Sequence, residues 1–320
     1  MTLPVAHPLA AVLAGPGLNP VDDLRRMLAL HFMVNAFRAG TVVAVLAATV
    51  GWCMVLRRQS FAGHTLAVVS FPGAAAAVWL GISATVGYFA GSIAAALVIA
   101  LVPRSTGSRT RSQESAVIGT VQAFALACGA LFVSLYGGFL DSITGLLFGS
   151  FLGVSDGQVV ALAVVAVVVL VVLALLARPL VFATVDGDVA AARGVPVRAL
   201  SVVFLVLLGC TAAEVSQVTG ALLVFSLLVM PAAAAQQLTA RPAWGLCLAV
   251  VLGLAVVWAA LAVAFYSPWP VGFFVTSFGF AVYLGAVAAR LTASRWRRAG
   301  RAGVRSRPGV SLVASGPVGA

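Results

Sequence analysis

Val159–Ala177 reads VVALAVVAVVVLVVLALLA, nineteen residues without one polar side chain. About 20 apolar residues in a helix cross the hydrocarbon core of a bilayer, and only helices or closed barrels satisfy their backbone there. This stretch predicts a membrane-spanning helix, and it ends on Arg178-Pro179. Working outward, apolar windows predict further spans near Ala39–Leu56, Leu66–Ile82, Val86–Val102, Ser115–Tyr136, Leu200–Val215, Ala221–Ala235, Trp244–Phe265 and Val271–Ala289, nine in all. Ile143–Leu152 is too short to cross and is flanked by Gly and Asp, which predicts a re-entrant or interfacial helix. The expected fold class is all-α, a polytopic bundle of about eight or nine spans plus that short helix.

Composition agrees. The 320 residues are 62% apolar and 8% charged, with mean hydropathy +1.13; soluble chains are about 45–50% apolar and about 25% charged. All 19 basic residues are arginine. Without lysine the chain has neither the P-loop ammonium nor a Schiff-base amine. The arginines lie in short loops between apolar runs, so the high pI reports topology and no nucleic-acid partner is expected. Placing the Arg104–Arg111 loop in the cytoplasm puts sixteen arginines inside and leaves Arg25, Arg26 and Arg38 outside. The C-terminus is then cytoplasmic and, with nine spans, the N-terminus is external. Cys53, Cys128, Cys210 and Cys247 sit singly in apolar runs and read as core residues. The first residues lack the basic region, apolar core and small-residue site of a secretory signal, so insertion is expected through the first span.

Three regions follow. Residues 1–37 form an N-terminal segment in which Asp22–Phe37 can make an interfacial helix. Residues 38–290 form the transmembrane domain, with its main cytoplasmic loop at 178–199. Residues 291–320 are rich in Arg, Gly, Ser and Pro, which predicts a disordered basic tail drawn to anionic lipid. The loop reads RPLVFATVDGDVAAARGVPVRAL from Arg178 to Leu200. Asp186 or Asp188 can cap a short helix, Gly194 suits its left-handed C-terminal turn beside Arg193, and Pro196 stops it. So short a helix needs support, either from a cytoplasmic partner or from its own bundle.

Four ordered segments carry a resemblance: VLRRQSFAGHTLAVVSFPGAAAAVWLG (Val55–Gly81), ITGLLFGSFLGVS (Ile143–Ser155), DGDVAAARGVPV (Asp186–Val197) and VTGALLVFSLLVMPAAAAQQLT (Val218–Thr239). Together they resemble the ABC-3 family, the permeases of ATP-driven zinc, manganese and iron transporters. The resemblance spans about residues 32–290. It implies a bacterial-type plasma-membrane protein of many passes that is not itself an enzyme and binds no covalent cofactor. A divalent metal ion is the transported substrate. The implied partners are a second copy of the chain, cytoplasmic ATPase subunits, an extracellular metal-binding protein and membrane lipid. It assigns Asp186, Asp188, Arg193 and Gly194 to ATPase coupling, which favours the docked helix over the self-packed one.

One departure from the family matters. Its first block usually reads Gly-Asp-x-x-x-His, taken as metal contacts, where this chain has His64 and Val68. His64 is therefore the candidate metal ligand, and an imidazole suits zinc first and manganese or iron next. Glu214 is the other ionisable group at membrane depth, where such groups usually serve a path. Pro72 and Pro231 break helical hydrogen bonding inside apolar runs and are placed beside the translocation path. The small residues around them, Gly73–Ala77 and Ala232–Ala235, are expected to build a dimer interface. Two rivals stay open: an ion-coupled secondary carrier, with Glu214 as its only carboxylate within a span, and a permease of this architecture with a non-metal substrate.

Overall fold

The computed structural model describes residues 25–101, 108–136, 145–149 and 151–305. Their helices are α1 (His31–Leu56), α2 (Ser60–Trp79), α3 (Ala84–Leu101), α4 (Ser108–Leu135), α5 (Asp156–Val185), α6 (Gly187–Ala192), α7 (Val197–Thr219), α8 (Val224–Leu238), α9 (Pro242–Phe265) and α10 (Val271–Arg305). Among the described residues eight helices are long and apolar enough to span a bilayer. The ninth expected span is α8, only 15 residues long. At 1.5 Å per residue it rises about 22 Å, short of a hydrocarbon core.

Burial sorts the helices into two layers. α1, α2, α7 and α8 form the interior, where Met33, Val43, Leu46, Leu66, Leu205, Leu208 and Leu228 are fully enclosed. α4, α5, α9 and α10 form a rim. On α5, Leu162, Ala166, Val169 and Leu173 make the inward stripe, while Val160, Val164, Val168 and Leu175 stay exposed. An unbroken apolar helix with one buried stripe leaves its other faces for lipid.

The two ends of the bundle are defined by contacts. At one end, Arg57 Nη1 donates to Thr184 Oγ1 at 3.1 Å and Nη2 to Ser201 Oγ at 3.0 Å, joining the ends of α1 and α5 to the start of α7. At the other, His31 at the start of α1 pairs with Asp156 at the start of α5, 2.9 Å apart. Arg58, Arg178, Arg193 and Arg198 share the Arg57 end, and Arg25 and Arg26 share the His31 end. The Arg57 end is thus the arginine-rich end of the bundle, the one expected from the sequence to be cytoplasmic.

Three expectations are corrected. The interfacial helix of Asp22–Phe37 does not form over its second half: residues 25–28 make one turn, and α1 begins at His31. Asn35 is buried there and its Nδ2 donates to Val154 O at 3.3 Å, which ties the start of α1 to protein. The basic segment expected to be disordered from residue 291 continues α10 to Arg305, and residues 306–320 lie outside the described residues. Ala and Arg are strong helix formers, and extending an existing helix needs no new nucleus. Finally, the small residues near the prolines pack within the protomer. A Cβ on Gly73 would lie 2.3 Å from Gly87 O and 2.8 Å from Gly91 Cα, because α2 and α3 touch through backbone. Ala232 and Ala235 are buried against Ala48, Trp52 and Ala249 of α1 and α9. Much of both surfaces is therefore used within the protomer, while Gly73, Ala76 and Ala233 stay partly exposed.

Candidate translocation path and coupling segment

The break between α7 and α8 lies inside the bundle. Ala221 packs with Phe71 of α2, and Gln217, three residues before the break, accepts from Thr85 in the first turn of α3. Gly220 caps α7 with φ +79° and lies against Gly149, whose φ is +76°; a Cβ on Gly149 would fall 2.4 Å from Gly220 N. A helical turn at residues 145–148 feeds this contact, and Ala221 N and Leu222 N donate to Leu146 O and Leu147 O at 3.4 and 3.3 Å. Tyr88 Oη donates to Leu146 O at 2.8 Å. These bonds supply partners for amides exposed where one helix stops and another starts, which is what allows irregular backbone at this depth. The described part of the expected re-entrant segment is thus a plug over a broken helix; residues 143–144 and 150 lie outside the described residues.

His64 lies one turn inside the Arg57 end of α2. Its ring meets Phe225 of α8 edge-on, with centroids 4.9 Å apart, and among the described residues its buried Nδ1 has no hydrogen-bond partner. Val68, one turn further, is buried and aliphatic. Glu214 on α7 is fully buried, and among the described residues neither carboxylate oxygen has a hydrogen-bond partner. Its neighbours on α7 show which way that helix is turned: Ala213 and Ser216 meet Tyr88 of α3 and Ser70 of α2. Among the described residues no three His, Cys, Asp or Glu side chains converge, so His64 and Glu214 do not join a multidentate cluster within one chain. Pro72 faces α4 through Gly129, and Pro231 faces α9 near Gly253. Each denies an amide to the carbonyl four residues back, on Val68 and Leu227. Sequence reading passed over Phe225, since a single aromatic in an apolar run carries no signal. It treated Arg57 only as a topological charge.

The coupling segment is formed by its own residues. Asp186 Oδ1 accepts from Val189 N at 3.0 Å and caps α6. At the other end Gly194 takes φ +81°, Gly194 N donates to Ala191 O and Val195 N to Ala190 O, a Schellman closure. Ala190 is buried against the bundle, while Asp188, Val189 and Arg193 are exposed. α6 is therefore anchored on one side and open on the other, at the arginine-rich end.

Comparisons with known proteins agree with this architecture. A sequence model of the ABC 3 transport family matches residues 29–290. A manganese transport system membrane protein of Halalkalibacterium halodurans is 27% identical over 229 residues, covering 72% of this chain and 77% of that protein. A chelated iron transport system membrane protein of Yersinia pestis is 29% identical over 223 residues, 70% of this chain and 74% of that one. Among solved structures, PsaBC from Streptococcus pneumoniae in complex with Fab superposes with TM-score 0.73 at 22% identity, over 83% of this chain and 94% of that one, a likeness of fold.

Proposed function

Because the chain belongs to the ABC 3 transport family, we propose that it is the permease of an ATP-binding cassette importer for a divalent metal ion, acting as a homodimer with separate ATPase subunits and an extracellular metal-binding protein. The observation that carries this reading is α6: a capped, preformed helix whose exposed face stands at the arginine-rich end, shaped to seat in a groove of a cytoplasmic partner. Asp186 and Gly194 set its two ends, and Asp188 and Arg193 are presented for contact.

The proposed ion path runs between α2, α7 and α8, past His64 and the buried carboxylate of Glu214, and the prolines within α2 and α8 leave the carbonyls of Val68 and Leu227 without their helical amide. Successive single contacts, rather than a closed cage, suit an ion that must leave as readily as it enters. Manganese and iron(II) come first as substrates, because similar proteins are named for manganese and iron. One feature favours zinc as a second reading: an imidazole at His64 is a softer donor than a carboxylate.

Co-reconstitution in vesicles with the ATPase and the binding protein tests the reading. One of manganese, iron(II) or zinc should stimulate ATP hydrolysis and accumulate, and His64→Ala should lower its uptake by about tenfold. Hydrolysis indifferent to all three ions would exclude a metal substrate, and undiminished uptake by His64→Ala would reduce that residue to packing.

A further inference from the structure

Arg57 stands where three parts of the bundle meet. Its Nη1 and Nη2 hold Thr184, in the last turn of α5, and Ser201, in the first turn of α7. These two residues flank the segment that carries α6. Its Nε donates to Gln59 Oε1 at 3.3 Å, at the residue that precedes α2, and its guanidinium lies 5.1 Å over the ring of Phe204 on α7. A planar fork of donors in fixed geometry can hold several acceptors at once, which a flexible ammonium cannot.

The turn that presents Arg57 is itself rigid. Gln59 N donates to Met54 O and Arg58 N to Val55 O, so α1 closes in a Schellman motif. The left-handed position of that motif, where glycine is usual, is filled by Arg58 at φ +56°. Only three residues separate α1 from α2, and His64 is one turn beyond. A cavity of about 560 Å³ lined by Arg57, Arg58, Thr184 and Ser201 adjoins the junction.

We propose that Arg57 is the positioning residue that transmits movement of the coupling segment to α2, through its simultaneous hold on Thr184, Ser201 and the α1–α2 turn. This rests on the reading of α6 as the ATPase-docking element. When the ATPase draws α6, the flanking ends of α5 and α7 pull on one guanidinium, and the rigid turn passes the displacement to the helix that bears His64. Arg57 touches no transported ion in this scheme; it sets the yield of transport per nucleotide.

The test uses the full complex in proteoliposomes, with ATP hydrolysis and uptake of radiolabelled manganese, iron(II) or zinc, whichever the unmodified complex takes up, measured together. Arg57→Gln should bind the ATPase normally and hydrolyse ATP within about twofold of the unmodified complex, while ions moved per ATP fall by about tenfold. Thr184→Val combined with Ser201→Ala should lower the ratio similarly, and adding Arg57→Gln should bring no further loss, since one junction is already broken. A ratio that stays constant while both activities fall, or losses that simply add, would overturn the proposal. Should Arg57→Gln not accumulate, the Thr184→Val/Ser201→Ala pair decides alone. Failure of the docking reading is separable: Gly194→Val would then leave ATPase binding intact, whereas failure of the present proposal leaves the ion-to-ATP ratio unchanged in a complex that Gly194→Val does weaken.

Discussion

Replacing Gly194 with Val isolates the backbone contribution to coupling. Gly194 has φ +81°, and a Cβ built there meets nothing within 4 Å, so the substitution introduces no clash. The penalty is that of a left-handed conformation for a residue with a Cβ, roughly 1–2 kcal/mol, at its worst for a β-branched side chain. α6 has six residues and no margin of its own. A shift of about 1.4 kcal/mol away from the capped form reduces the docking-competent population by about tenfold, and the apparent affinity for the ATPase by the same factor. Membrane insertion should be untouched, because the residue lies outside the spans. Titration of ATPase against nanodisc-held permease reads the change directly. Gly194→Asn, which tolerates the left-handed region, should bind within about twofold of the unmodified chain. Equal ATPase affinity for Gly194→Val and the unmodified chain would refute the assignment of α6.

Further expectations concern the interior and the tail. Glu214→Met removes two orphaned oxygens, each worth roughly 1–3 kcal/mol in lost hydrogen bonding, so the thermal midpoint in detergent should rise by on the order of 5 °C while metal uptake falls; an unchanged or lower midpoint would show that the carboxylate has a partner. Gly149→Val would drive a side chain into the backbone of Gly220 and should destabilise the plug by about 3 kcal/mol, seen as faster proteolysis near residues 145–149; normal protease resistance would contradict the contact. Truncation after Ser294 should leave transport largely intact, and a dead truncation would give the extension of α10 a role in function.

The spans were legible because lipid asks one question of each segment, whether about 20 residues are apolar, and Val159–Ala177 or Trp244–Phe265 answer it without reference to neighbours. The local signals at α6 were equally readable, since Asp186 and Gly194 act within one turn of themselves. What depended on partners far along the chain was hidden. α1 begins eight residues before its apolar window because Asn35 finds Val154 and His31 finds Asp156, contacts 119 and 125 residues distant in sequence. The recessed break at Gly220 exists because Gly149 allows backbone to approach backbone, and neither glycine is distinctive in sequence. Gly73 was recognised as permitting close helix approach, but only the structure shows α3 as the helix that approaches. Glu214 stood out in sequence as a carboxylate within a span; that both oxygens lack partners is a tertiary fact. Arg57 was counted as a positive charge, and its role follows from geometry that counting omits.

As the proposed permease, the chain is a conduit driven by an ATPase supplied by another polypeptide. Metal accumulation in sealed vesicles should be compared with the permease alone, under an imposed proton or sodium gradient, and with the ATPase and binding protein present. The prediction is accumulation only in the complete complex and only with hydrolysable nucleotide. Gradient-driven accumulation by the permease alone, with no nucleotide present, would contradict it.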